Sequence, residues 1–185
     1  MSALRPGVAM AALLLAGCTS IAPFTPDERA ELERDARRIV AVLDARQPGF
    51  AERLRAAPAF AVFPDVGKGA ALIGLSYGKG VLYDQGQLVG YCDVTGGLLG
   101  LALGGQGYSL ILSLDTPAAV RRFKHGVYSL GTQANVVVGD LGASKQSSYH
   151  DDVSVLIFDE FGLMLEASLG TQELRCQLLA PDDVN

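Results

Sequence analysis

Ala59-Phe60-Ala61-Val62-Phe63-Pro64 breaks with the charged, helix-like stretch before it and opens a long series of short apolar runs. The runs are separated by Gly, Asp and Asn, the residues that punctuate strands. The predicted strands are Ala59–Phe63, Ala70–Ser76, Gly80–Tyr83, Gln87–Val94, Leu98–Leu103, Tyr108–Leu114, Tyr128–Leu130, Gln133–Val138, Val153–Asp159, Leu163–Leu169 and Glu173–Leu178. Links such as Asp84-Gln85-Gly86 and Asp159-Glu160-Phe161-Gly162 have hairpin length. Only Thr116–Lys124, opened by Thr116-Pro117, reads as a helix inside this region. Such a chain predicts a Gly-rich, mostly antiparallel sheet that curls into a barrel or sandwich, with one short inserted helix.

Working towards the N-terminus, Thr25-Pro26-Asp27-Glu28 supplies a cap, a proline at the first turn and two acids. Asp27–Arg46 then spaces Ala36, Ile39, Val40 and Leu43 along one helical stripe, and Pro48–Ala57 carries Phe50 and Leu54 on the same rule. Two readings of this amphipathic segment stand: a helix lying on a lipid surface, or one packed on its own domain with a solvated face. Lipid-surface helices usually carry excess positive charge, whereas here Arg residues and acids balance. The fold class is therefore α+β, with residues 27–58 as a helical segment, 59–178 as the β-rich domain and 179–185 as a tail.

Residues 1–17 read as a secretory signal, with Arg5 ahead of the apolar run Val8–Leu15 and small residues after it. The run is too short to span a bilayer, which takes about 20 apolar residues. Its end, Leu15-Ala16-Gly17-Cys18, resembles the lipobox of bacterial lipoproteins. That resemblance implies cleavage between Gly17 and Cys18, diacylglycerol on the Cys18 sulfur and a further acyl chain on the new N-terminus. Residues 18–26, with Pro23 and Pro26, would form a tether. Thr19 after the cysteine, in place of Asp, directs such a lipoprotein to the outer membrane, facing the periplasm. In that oxidising compartment Cys92 and Cys176 are either a disulfide pair or two buried thiols.

The chain's 185 residues, 49% hydrophobic and 19% charged with a formal net charge of −5, suit one globular domain. An acidic chain has no electrostatic reason to bind DNA or RNA, so no nucleic-acid partner is expected. No cofactor and no metal site are expected either. Neither Cys92 nor Cys176 belongs to a CxxC pair, and the only histidines are His125 and His150.

Four motifs invite chemistry. Gly74-Leu75-Ser76-Tyr77-Gly78 has the GxSxG pattern of a nucleophile elbow, in which a strand-to-helix turn exposes a serine to a distant histidine. Here the next residues, Lys79–Tyr83, read as another strand, which disfavours an esterase built on Ser76. Gly96–Gly107 offers either a phosphate loop or a GxxxG seam, but it lacks the Lys-Ser or Lys-Thr of the first and the length of the second. A bent pair of packed strands accounts for it. His150-Asp151-Asp152 is a metal corner or a solvated turn. Finally, Arg121-Arg122-Phe123-Lys124-His125 concentrates positive charge. Arg121, Arg122 and Lys124 are candidate ligands for lipid headgroups, with Phe123 dipping into the interface. The competing reading is a helix whose last turn is basic because the dipole favours it.

The order of segments resembles the SYLF domain, a lipid-binding domain of bacteria and eukaryotes. The residues that carry the resemblance are Ala59–Pro64, Gly67-Lys68-Gly69-Ala70, Tyr77-Gly78-Lys79-Gly80, Leu103–Tyr108, Asp115–Phe123, Ala134–Gly139, Asp152–Phe158 and Gly162–Leu169. It extends over about Ala59 to Gly170 in unbroken order. It implies a non-enzymatic, lipid-associated domain whose partner is membrane lipid, and it accounts for Gly74–Gly78 without catalysis. Eukaryotic relatives bind phosphoinositides and some bundle actin. The alternatives are a carrier of a small apolar ligand in a β-barrel cavity, and the esterase on Ser76.

Overall fold

A run that is apolar at every position, as Ala59–Phe63 is, belongs in a strand covered on both faces. The computed structural model, which describes residues 25–69, 74–98, 106–125, 128–130, 136–138, 152–158 and 172–180, places it there. The run begins β1 (Ala59–Gly69), which lies between β2 (Gly74–Asp84) and β4 (Gln106–Leu114). Around this trio stand β3 (Gln87–Leu98), β5 (Tyr128–Leu130), β6 (Val136–Val138), β7 (Val153–Phe158) and β8 (Gln172–Leu178). The order is β5-β8-β3-β2-β1-β4-β7-β6. Every pairing is antiparallel except β6 with β7. With three helices among the described residues, this is the expected α+β fold, its sheet curled as a half-barrel. The expected strand Leu163–Leu169 lies outside the described residues, as does most of Leu98–Leu103.

Two predicted breaks are absent, for physical reasons. β1 continues past Pro64 because a register shift between Phe63 and Val66 absorbs a residue that has no N–H to give the ladder. The Pro64 carbonyl instead accepts from Ser109 Oγ at 2.6 Å. β2 is likewise one strand where two were expected. Gly78 and Gly80 do not interrupt it; they make room, since a Cβ at Gly80 would sit 2.5 Å from the Phe63 ring.

Helix α1 (Pro26–Arg46) starts on a capping box: Thr25 Oγ1 accepts from the Glu28 N–H, and the Glu28 carboxylate accepts from the Thr25 N–H, each at 3.2 Å. Helix α2 (Phe50–Ala56) follows a left-handed turn at Gly49, and Asp44 Oδ1 receives the Ala51 N–H at 2.9 Å. Both helices cover one face of the sheet. Ala36, Ile39, Leu43 and Leu54 pack there on Phe60, Val62, Val81, Tyr91 and Ile111. The apolar stripe of α1 is thus spent on its own domain, and the lipid-surface reading of that stripe is replaced by the packed one.

The opposite, inner face gathers Ala61, Phe63, Leu82, Cys92, Leu110, Leu112, Val155 and Leu174 with Phe123 from α3 (Pro117–Lys124). Among the described residues these side chains pack against one another as the core of the inner face. Cys92 and Cys176 face each other across β3 and β8 with their Cα atoms 4.0 Å apart, and they are joined as a disulfide.

Candidate functional site

Helix α3 presents the basic cluster. Thr116 caps it by accepting the Ala119 N–H at 3.1 Å, Pro117 begins it, and Ala119, Val120 and Phe123 bury its inner side. Phe123 is 1% exposed and its ring lies 5.6 Å from that of Tyr128, so it is a core residue and not an interfacial wedge. Of the three candidate headgroup ligands, the structure commits two. Arg122 pairs with Asp152, and Lys124 pairs with Asp84 at the end of β2. The Arg121 side chain is exposed and makes no ion pair or hydrogen bond with the described residues. The sequence concealed these pairings because the acids lie 30 and 40 residues away.

Ser76 does not occupy an elbow. It sits inside β2, 2% exposed, and its Oγ donates to the Gly96 carbonyl at 3.4 Å. Beside it, the Gln172 amide donates to Tyr108 Oη at 2.8 Å, and burial pushes the Tyr108 hydroxyl above its ordinary pKa. These groups form a buried polar cluster on the inner face. His125 caps the far end of α3, whereas His150 and Asp151 lie outside the described residues. Asp152 of the same motif is taken up by Arg122. Among the described residues no group of three His, Cys, Asp or Glu side chains is placed to hold a metal ion. Cys18 and Gly17, the expected cleavage and acylation site, also lie outside the described residues.

The other face carries two features that no motif announced. Beyond the helices, the register sets Asp65, Lys79, Asp93 and Arg175 in a row across β1, β2, β3 and β8. Asp93 is buried, and its desolvated carboxyl is raised above the usual range although the charge of Arg175 opposes the shift. Under the helices lies a cleft of about 420 Å³, between α1, α2 and the β1–β2 end of the sheet. Its walls are Ala36, Val40, Leu54 and Val62, and its floor includes the stacked rings of Phe60 and Tyr83, 4.8 Å apart. Arg37 and Arg55 stand among its lining residues. The one available sequence signal was Phe60 and Val62, whose positions require a cover on the second face of β1.

Residues 95–172 match the family model Ysc84, described as a Las17-binding protein actin regulator. That model is of the SYLF domain, the family the order of segments resembles. The match covers less than half of the chain, from the later part of β3 through β4, α3 and β5–β7 to the first residue of β8. Nothing among the curated proteins matches the chain. The matched stretch cannot complete its own sheet: β4 pairs with β1 and β8 with β3, so β1, β2 and the start of β3 belong to the same folded unit. The resemblance in Ala59–Gly80 therefore falls in strands inseparable from the matched ones.

Proposed function

We propose that this chain is a lipid-anchored envelope protein whose SYLF domain associates with membrane lipid and performs no catalytic step. The observation that carries the reading is the family match over residues 95–172, since this is a lipid-binding and actin-regulating family. The lipobox-like Leu15-Ala16-Gly17-Cys18 supports covalent attachment through Cys18. Acyl chains contribute about 0.8 kcal/mol per buried CH2, so more than one on a single cysteine makes a firm anchor. A tether of residues 18–26 would hold the capped start of α1 near the bilayer. The outer membrane, periplasmic side, is the proposed location. Among the described residues no helix is long and apolar enough to cross a membrane.

Burial of Ser76 in mid-strand supports the reading without an enzyme. Its test is a fluorophosphonate probe, which should leave the folded protein unlabelled. The anchor is tested by globomycin, which blocks the lipoprotein signal peptidase. Accumulation of the unprocessed precursor is expected, and unchanged processing would overturn the anchor. Association of the domain with lipid is tested by co-sedimentation of the mature chain, residues 18–185 carrying Cys18→Ser, with neutral and anionic vesicles. Sedimentation with neither kind would leave the acyl anchor as the sole attachment.

A further inference from the structure

We infer that the cleft between α1, α2 and the β1–β2 end of the sheet binds a long-chain fatty acid, its tail on Phe60 and Tyr83 and its carboxylate on Arg37 and Arg55. This rests on the lipid reading above and gives it a site, on the helix-covered face of the sheet and not on the inner one. The walls are hydrocarbon and aromatic: Ala36, Val40, Leu54 and Val62 stand around the two stacked rings. Such a surface favours an apolar occupant with few polar groups.

Charge at the cleft selects the head. Arg55 is exposed and has no ion pair or hydrogen bond with the described residues. Arg37 meets Glu33 at 3.4 Å and hydrogen-bonds the Tyr83 hydroxyl, which sets its guanidinium at the cleft, and most of its side chain remains in solvent. Asp44, the one acid in the lining, already accepts the Ala51 N–H. Two cations around an apolar cleft, in a chain of formal net charge −5, complement a single anionic group, and guanidinium suits a carboxylate through paired N–H donors. Size selects the tail. A cleft of about 420 Å³ lies toward the small end of ligand sites, which run from roughly 300 to 1,000 Å³, and suits one acyl chain better than two.

The test uses the mature chain, residues 18–185 carrying Cys18→Ser, and 11-(dansylamino)undecanoic acid, whose emission rises in an apolar site. A rise reversed by palmitate is expected, with hexadecanol, the same chain without the charge, needing about tenfold more. Ala41→Trp, at an exposed lining position, should abolish the rise, and Arg37→Ala with Arg55→Ala should weaken binding about tenfold or more. Circular dichroism checks that each variant is folded, and Arg55→Glu at an exposed position serves where Ala41→Trp is not. No dansyl binding, equal displacement by hexadecanol, displacement by lysophosphatidylglycerol but not palmitate, or binding indifferent to these substitutions would each overturn the inference. Vesicle sedimentation of the same protein reports separately on the lipid reading. Vesicle binding without dansyl binding removes the cleft alone, whereas the reverse removes membrane association of the domain and leaves the cleft.

Discussion

Gly80 and Tyr91 show how single residues set the packing of this domain. A methyl group at Gly80 would meet three atoms of the Phe63 ring, the nearest at 2.5 Å, and Phe63 is fully buried with no room to retreat. Gly80→Ala is therefore expected to lower stability by about 1–3 kcal/mol. At Gly67 the nearest atom would be an ordinary 3.9 Å away, and Gly67→Ala should stay within about 0.5 kcal/mol of wild type. Urea titration of the two variants checks the contrast. Tyr91 binds α1 to the sheet: its hydroxyl donates to Glu33 Oε1 at 2.9 Å, and the Arg29 guanidinium lies 5.2 Å from the centre of its ring. Burial, and then the bond to Glu33, push its pKa from 10.0 up to about 12. Below pH 10 the hydroxyl is neutral whether the chain is folded or not, so its titration contributes nothing there. As pH climbs from about 10 to about 12, the unfolded chain gives up this proton while the folded one keeps it, and stability falls. Tyr77, Tyr83, Tyr108 and Tyr128 are raised in the same direction. The alkaline loss, followed by urea midpoints, should thus shrink in Tyr91→Phe without vanishing.

Among the elements, the β3–β8 pair is closed covalently, and its sequence separation decides the consequence. The disulfide joins residues 84 apart, and a loop of that size constrains the unfolded chain strongly. Its removal as Cys92→Ser with Cys176→Ser is expected to cost about 2–5 kcal/mol, read as a lower urea midpoint that reductant no longer shifts. Helix α1 rests on a smaller device. Thr25→Ala removes half of the capping box and should cost about 1 kcal/mol. Both helices and the inserted α3 were legible because cap, proline and apolar spacing lie within a few residues of one another. Strand texture was legible too, from the runs beginning at Ala59. Strand continuity was not, because Gly78 and Gly80 look like breakers until β1 is known to press on them, through Asp65 and Val66 at Gly78 and through Phe63 at Gly80. The strand order was also hidden, since β3 meets β8 only after the whole intervening chain has returned. The candidate sites divide the same way. The basic run in α3 is local and visible, but its neutralisation by Asp84 and Asp152, and the cleft assembled from α1, α2, β1 and β2, depend on contacts no local pattern encodes.

At the scale of the whole molecule, charge bookkeeping separates the three cations of α3. A chain of formal net charge −5 meets an anionic membrane against a repulsive background, so attraction must come from cations with charge to spare. Arg122 and Lys124 are half-neutralised by their own acids before any lipid arrives, and a lipid phosphate would have to displace Asp152 or Asp84 to reach them. Arg121 has no such competitor among the described residues. In co-sedimentation of the Cys18→Ser chain with anionic vesicles, Arg121→Ala is therefore expected to reduce the bound fraction more than Arg122→Ala or Lys124→Ala. Stability should change in the opposite order. Arg122→Ala strips a partner from Asp152, whose other oxygen is already buried without one, and should lower stability by about 1 kcal/mol, whereas Arg121→Ala should leave it nearly unchanged. Whatever Arg121 contributes should weaken as salt is raised from about 0.1 M, where the screening length is roughly 10 Å, towards 1 M, where it is roughly 3 Å. Equal loss of binding in all three variants would mean that the ion pairs open at the membrane surface and that α3 acts as one basic patch. Binding unaffected by any of them, at low or high salt, would place the lipid contact of this domain away from α3.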